Sequence, residues 1–264
     1  MNVLSMDIAG IGFWTRGLPS WAAACDYLRD DRIDKTAPAK PASRLLAANE
    51  RRRAPETVAV ALEVALAACE AAGVDPAQLP SVFVSMHGDL AITDYMCATL
   101  TEDPCAISPT KFHNSVHNAA AGYWTIGTAC NKPATALSSG DGTFALGLLE
   151  ALSQLQGGEP AVLLAAYDSP STGPLATISA SKGLLGGALV LASRADTAVA
   201  RLHVEFVNRS APVAPGKLAG YVGANAMAGM LPLFEALASG AEEAWLHAGP
   251  SQSLHLTITP GPMA

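Results

Sequence analysis

Ala136-Leu-Ser-Ser-Gly-Asp-Gly-Thr-Phe-Ala-Leu-Gly-Leu-Leu-Glu-Ala151 reads as the end of a short strand, a tight glycine turn and the start of a helix. Gly140 and Gly142 flank Asp141 at the turn, and Phe144, Leu148, Leu152 and Leu155 then recur on one helical face. Gly157-Gly158 lies just beyond the end of that helix. Pro160–Tyr167 follows as a continuous apolar run, the pattern of a central strand buried on both faces. Strand, helix and strand in this order indicate an α/β layer structure.

The same alternation extends outward in both directions. Val3–Ile11 is expected to be a strand that ends in a turn at Gly10 and Gly12, and Pro19 and Ser20 open a helix through Leu28. Residues 31–53 carry seven cations against three anions and read as a basic loop. Pro55 suits the first turn of a helix to Gly73, with Val58, Leu62, Ala65 and Cys69 on its buried face. Pro80–Met86 reads as a strand, Asp89–Leu100 and Ala119–Thr128 as helices, and Ala134–Ser138, Leu184–Ala192 and Ala200–Val207 as strands.

Composition narrows the classes. Half of the 264 residues are apolar and 15% are charged, which suits a chain with a substantial core. A net charge of −7 argues against nucleic acid as a partner, which calls for a basic face. No apolar run reaches the ~20 residues of a membrane span, and no basic-then-apolar leader opens the chain, so a cytoplasmic location is expected. Cys25, Cys69, Cys97, Cys105 and Cys130 are scattered and suggest neither a disulfide framework nor a metal site, and no cofactor motif stands out.

The order of Ser138, Gly147, Glu150 and Ala151 resembles the ketosynthase signature V-S-T-A-C-A-S-G-A-H-A-I-G-E-A without a gap. Ser108-Pro-Thr-Lys-Phe-His-Asn-Ser-Val-His-Asn-Ala-Ala-Ala-Gly-Tyr-Trp-Thr-Ile126 resembles the family's upstream run S-P-x-x-x-x-x-S-x-x-N-x-A-A-G-x-x-x-I in the same register. The resemblance covers roughly the first three quarters of the chain. It implies a thiolase-like α/β fold: an N-terminal half over residues 1–207, and a shortened C-terminal remnant over 208–264 packing on the same domain. Gly223-Ala-Asn-Ala-Met-Ala-Gly229 faintly echoes the family's G-H-x-x-G-A-A-G helix, which would put Gly223 where a catalytic histidine belongs; a generic small-residue helix is the alternative.

In this register the nucleophilic cysteine position holds Asp141. A carboxylate attacking a thioester would give a high-energy anhydride, so no catalytic residue is assigned, and Asp141 is expected to cap its own helix. Thr128-Ala129-Cys130 mimics the family's T-A-C but precedes the strand instead of following it. His113 and His117 have the spacing of a zinc pair but no third ligand, which leaves a structural role. His203, His247 and His255 sit in strand-like runs and fit an exposed face.

More narrowly, the chain resembles the short chain length factors of aryl polyene clusters, non-catalytic subunits that pair with a beta-ketoacyl synthase. That likeness implies a heterodimer joined through Ala134–Ser138, including Ala136 and Ser138. Phe112, His113, Asn114, His117, Asn118, Tyr123 and Trp124 are the neighbouring interface candidates. Leu90, Ile92, Tyr95 and Met96 are candidates for shaping the acyl tunnel, with filling of the chain's own core as the competing role. Arg51, Arg52 and Arg53 are candidates for docking an acidic acyl carrier protein, against a solvated cluster paired with Glu50 and Glu56. The rival functions are a stand-alone acyltransferase or decarboxylase using Cys130 or Asp141, and a module that binds a carrier protein or an acyl chain.

Overall fold

Alternate residues of the central strands supply two different cores. In the computed structural model, which describes residues 4–179, 181–212 and 216–261, β2 (Ser81–Val84) and β4 (Ala161–Asp168) run parallel and paired. Val82, Val84, Leu164 and Ala166 face one core, while Phe83, Leu163 and Ala165 face the other. This is the two-residue period of a pleated strand buried on both sides.

The chain order is β1 (Leu4–Thr15), α1 (Trp21–Asp30), α2 (Ala48–Arg53), α3 (Glu56–Ala72), β2, α4 (Leu90–Glu102), α5 (Pro109–His113), α6 (Ala119–Gly127), β3 (Ala134–Leu137), α7 (Thr143–Gln156) and β4. After these come β5 (Leu185–Ala192), β6 (Ala200–Val207), α8 (Lys217–Val222), α9 (Leu231–Ser239), β7 (Glu243–Gly249) and β8 (Gln252–Pro260). All eight strands join one sheet in the order β3-β2-β4-β5-β1-β6-β8-β7. The β3-β2-β4 end is parallel, and every pairing from β4–β5 onward is antiparallel.

Helix α3 covers one face, against β1, β5 and β4. An added Cβ would lie 2.2 Å from the Ala68 carbonyl at Gly10 and 2.0 Å from the Val64 carbonyl at Gly12. These two glycines therefore do not end the strand, as the sequence suggested. β1 runs on to Thr15, and the missing side chains let the backbone of α3 rest directly on it. The expected strand start at Val3 lies outside the described residues.

Helix α7 occupies the other face, and its apolar stripe of Phe144, Leu148, Leu152 and Leu155 is buried. It touches β2 and β4 on one side and β7 on the other, although β7 lies at the far end of the sheet. The sheet must therefore bend around α7. The segment after Val207 supplies α8 and α9 together with β7 and β8, which extend the same sheet through β6. Leu246, Leu254 and Leu256 share a core with Phe144 and Leu148, so the curled end roofs the helix that a flat sheet would leave open.

Two local expectations change. Residues 48–53, read as loop, form the short helix α2. Residues 223–229 are not a helix: α8 ends at Gly223 with φ 70°, and a 3-10 turn at Ala228–Met230 leads into α9.

Candidate functional site

The carboxyl ends of β2, β3 and β4 lie side by side, which is where open α/β sheets bind ligands. Beyond β2 come Ser85, Met86 and His87; beyond β4 come Ser169 and Pro170; beyond β3 the chain turns through Gly140–Gly142 into α7. Gly140 has φ 54°, a left-handed conformation that only glycine adopts freely, and a Cβ at Gly142 would sit 2.8 Å from the Ala248 carbonyl of β7. The glycine turn read from the sequence is real. Its two glycines serve separately, one for backbone conformation and one for close approach.

Asp141 projects from this turn into a cavity of about 650 Å³ that it shares with His87, Ser179, Ser181, Asn225 and His247. It does not cap α7. The N-cap position is Gly142, without a side-chain hydrogen bond, and Asp141 is exposed. The turn is held instead by buried Thr143, whose Oγ1 donates to the Gly140 carbonyl at 2.6 Å and accepts from Ser139 N–H at 2.8 Å.

Opposite Asp141, the Nε2 of His87 lies 2.5 Å from Ser179 Oγ. Burial pushes the imidazole below its ordinary pKa, and the Asp141 charge opposes that shift. The main chain ahead of His87 is fixed by Asp168, the buried last residue of β4. Its carboxylate accepts from Ser85 Oγ at 2.7 Å, Met86 N–H at 2.8 Å and His87 N–H at 3.4 Å. Burial raises the Asp168 pKa to about 6 against these three donors, which lower it.

Sequence reading missed His87, Ser179 and Asp168, and it assigned His247 to an exposed strand face. His247 is half-buried and lines the cavity. A signal existed for Asp168, a lone carboxylate closing an apolar strand, and for His87, just past a parallel strand. His247 had none, because only the bend of the sheet brings β7 to Asp141. The faint echo at 223–229 gains a spatial counterpart, since Ala224, Asn225, Ala226 and Gly229 line the same cavity, with no histidine among them.

None of the five cysteines lines this cavity. Cys130 is buried at the opposite end of β3, where its thiol donates to the Leu79 carbonyl at 3.4 Å. Helix α5 stops at His113, so His113 and His117 do not share a helical face. His113 meets Tyr123 edge-on, and His117 Nε2 lies 2.8 Å from the Ser85 carbonyl. Among the described residues no three His, Cys, Asp or Glu side chains are grouped as a metal site, and no helix is long and apolar enough to cross a membrane.

The interface candidates divide. Among the described residues β3 pairs only with β2 and forms one edge of the sheet, with Ala136 partly exposed and Ser138 just past its end donating to the Met86 carbonyl at 2.8 Å. Helix α6 lies beside it. Phe112, Val116 and Ile126 are 62%, 51% and 73% exposed and line one groove with His113, Asn118 and Tyr123. Trp124 is not on this surface. It points inward against Phe83, fully buried, because it falls on the face of α6 turned to β2. Asn114 is buried too and donates through Nδ2 to the Arg53 carbonyl at 3.2 Å.

The tunnel candidates also divide. Leu90 and Ile92 are buried, Tyr95 and Met96 half-exposed. The Tyr95 hydroxyl accepts from Ser108 N–H at 3.0 Å, and its ring lies under Lys111, so it fixes the approach to α5. Arg51 donates to the Leu46 carbonyl and Arg52 to Asn49, both from exposed α2. The pairing with Glu50 and Glu56 does not form; the interlocked basic residue is Arg44, which bridges Glu63 and Glu70 of α3.

The family model of the beta-ketoacyl synthase N-terminal domain matches residues 21–252. Among solved structures, the chain superposes on a chain of a ketosynthase in complex with its chain length factor from Xenorhabdus doucetiae, with TM-score 0.74 and 21% identity, covering 96% of this chain and 99% of that one. A type II PKS acyl-carrier protein in complex with its ketosynthase gives TM-score 0.75 at 14% identity, over 98% and 100% of the two chains. The ishigamide ketosynthase/chain length factor gives 0.70 at 15%, over 97% and 99%. At these identities the likeness is one of fold. No curated protein matches the sequence. With the family match spanning most of its length, and a glycine turn feeding a central helix at the carboxyl ends of parallel strands, the chain belongs to the beta-ketoacyl synthase family, in its N-terminal domain.

Proposed function

We propose that this protein is a non-catalytic chain length factor, the subunit that pairs with a beta-ketoacyl synthase during elongation of a polyketide or polyene chain. The observation that carries the reading is Asp141: the turn, the central helix and the facing cavity of a ketosynthase-type site are present, with a carboxylate at the nucleophile position and no thiol lining the cavity. The exposed β3 edge and the apolar groove of Phe112, Val116 and Ile126 support a pairing surface. The fold is shared with the complex of a ketosynthase and its chain length factor, which favours a ketosynthase as the covering partner. Such a partner supplies the missing thiol, and an acidic acyl carrier protein delivers the chain, with Arg51–Arg53 on α2 as its candidate contact. The location proposed is cytoplasmic.

The test is co-expression with the ketosynthase of the same gene cluster. A one-to-one complex and a product whose length depends on this chain are expected. Separate elution at micromolar concentration, together with full-length product from the ketosynthase alone, would overturn the proposal. Within the complex, Met96→Ala is the tunnel substitution to make first, because Leu90 and Ile92 are buried in this chain and the Tyr95 hydroxyl is engaged at Ser108. A changed chain length is expected. Unchanged length from a stable complex removes Met96 from the tunnel.

A further inference from the structure

Two serines line the cavity of Asp141, and their hydroxyls differ in what they are free to do. Ser181 is buried and engaged: its Oγ donates to the Ser169 carbonyl at 2.8 Å and accepts from Ala226 N–H at 3.0 Å. Ser179 is half-buried, and its one side-chain partner among the described residues is His87, with 2.5 Å between Oγ and Nε2. With the ring proton on Nδ1, Nε2 accepts from the Ser179 hydroxyl, the arrangement in which an imidazole turns a hydroxyl into a nucleophile.

The surroundings of His87 suit a base. Asp168 fixes the main chain at Met86 and His87 through their N–H groups, so the ring is carried on a held segment. Burial lowers the imidazole pKa from its ordinary 6.5, which keeps the ring neutral and able to take a proton at neutral pH. The Asp141 charge acts the other way and favours the imidazolium once the proton has arrived. The walls restrict the substrate. Met86, Ile178, Ala224 and Ala226 are apolar, and neither lysine nor arginine is among the lining residues. The Asp141 carboxylate disfavours an anion, so a neutral molecule with a short apolar acyl group fits best.

We propose that Ser179 and His87, assisted by the Asp141 carboxylate, form a nucleophilic pair that cleaves neutral esters of short acyl acids. Ser179 Oγ bonds to the acyl carbon and passes its proton to His87 Nε2. The bond to the leaving alcohol breaks, and the alcohol takes that proton from the imidazolium. Water then adds to the acyl carbon and gives a proton to Nε2; the bond to Ser179 breaks, the serine recovers the proton and the free acid leaves. Asn225 Nδ2 is spent on the Lys182 and Gly183 carbonyls, so its amide cannot hold the oxyanion and turnover is slow. The chain-length reading concerns carbon–carbon bond formation, which needs a thiol. This inference concerns acyl transfer to water and does not rest on it.

The test treats the full chain with p-nitrophenyl butyrate and, separately, with diisopropyl fluorophosphate, a reagent for activated serines. A burst of p-nitrophenolate followed by slow release is expected, with one butyryl group mapped to Ser179 by mass spectrometry. Diisopropyl fluorophosphate should label the same residue and stop the release. Ser179→Ala and His87→Gln are each expected to lower the release at least about tenfold. Ser179→Cys, which keeps a nucleophile in the same place, should restore a butyryl adduct at position 179. The acylation rate should rise with pH through a midpoint below 6.5, and Asp141→Asn should move that midpoint further down. Labelling confined to the exposed Cys97 and Cys105, no adduct from either reagent, a His87→Gln protein acylated at the wild-type rate, or a midpoint unmoved by Asp141→Asn would overturn the proposal. None of these results bears on whether the chain sets product length.

Discussion

The two ends of the sheet are finished in opposite ways. At the β7 end, Ala244, Leu246 and Ala248 turn inward against α7, α9 and the Gly140–Gly142 turn, so the chain covers that end with its own helices. At the β3 end the last strand is four residues long, pairs with β2 alone and stands beside exposed Phe112, Val116 and Ile126. An uncovered edge with an apolar neighbour is a template for another chain, and proteins seldom leave one without protection. The β7 end is thus where this protein holds itself together, and the β3 end is the surface we propose for pairing.

That contrast predicts a crossed pattern of effects. Leu246→Ala, at a fully buried side chain of β7, should cost the isolated chain about 2–5 kcal/mol through lost transfer energy and a residual cavity. Ile126→Asp, beside β3, should leave the isolated chain within about 0.5 kcal/mol of wild type and remove its complex with a ketosynthase. Denaturant melts of the single chain and size-exclusion of the co-expressed pair read the two effects separately. If Ile126→Asp unfolds the chain, or leaves the complex intact, the division of labour between the ends is wrong.

Two buried aspartates sharpen the comparison through pH. Asp7 lies where β1 meets β6, at the start of the curl, and is held below the ordinary carboxylate pKa by the Arg201 guanidinium at 2.7 and 3.1 Å. A lowered folded pKa gives stability that is present above the unfolded value and lost as pH falls through the folded one. Arg201→Met should therefore lower stability at neutral pH, by less as the solution is acidified below the ordinary carboxylate value of 3.8. Asp168 has the opposite sign. Its folded pKa is raised by burial to about 6, so the folded protein holds the proton more tightly than the unfolded chain, and stability falls as pH rises from about 3.8 to 6. Asp168→Asn should remove that slope, while weakening the hold on the 85–87 main chain. Urea melts across pH 3 to 7 distinguish the two residues; parallel slopes in wild type and Asp168→Asn would refute the assignment.

Most of this architecture was legible in the sequence because it rests on periodicity. The burial of β4 on both faces, the stripe on α7 and the start of a helix near Asp89 follow from local patterns. Failures came where a distant element decides. Gly10 and Gly12 look like a turn until α3 rests on them. Trp124 looks like an interface aromatic until β2 claims its side of α6. The site was half-read for the same reason: Asp141 belongs to a local strand–turn–helix pattern, whereas His247 reaches it from more than a hundred residues away through the bend of the sheet.

The smallest expected effect tests the least intuitive residue. Asp141 has the sequence position of a helix cap, and a true cap lost to alanine costs typically about 1 kcal/mol. Its carboxylate caps nothing, while Thr143 closes the turn through its own hydroxyl. Asp141→Ala should therefore change the stability of the isolated chain by less than about 0.5 kcal/mol, whereas Thr143→Val, which leaves Ser139 N–H without its acceptor in a partly buried turn, should cost more, about 1–2 kcal/mol. The carboxylate still acts on the imidazole across the cavity: it opposes the depression of the His87 pKa, so its removal should move that titration further down, visible by NMR of the ring protons. A neutral change in stability with a lowered His87 titration would mark Asp141 as a group kept for the cavity and not for the helix. A loss of 1 kcal/mol or more with the imidazole unmoved would return it to the role of cap.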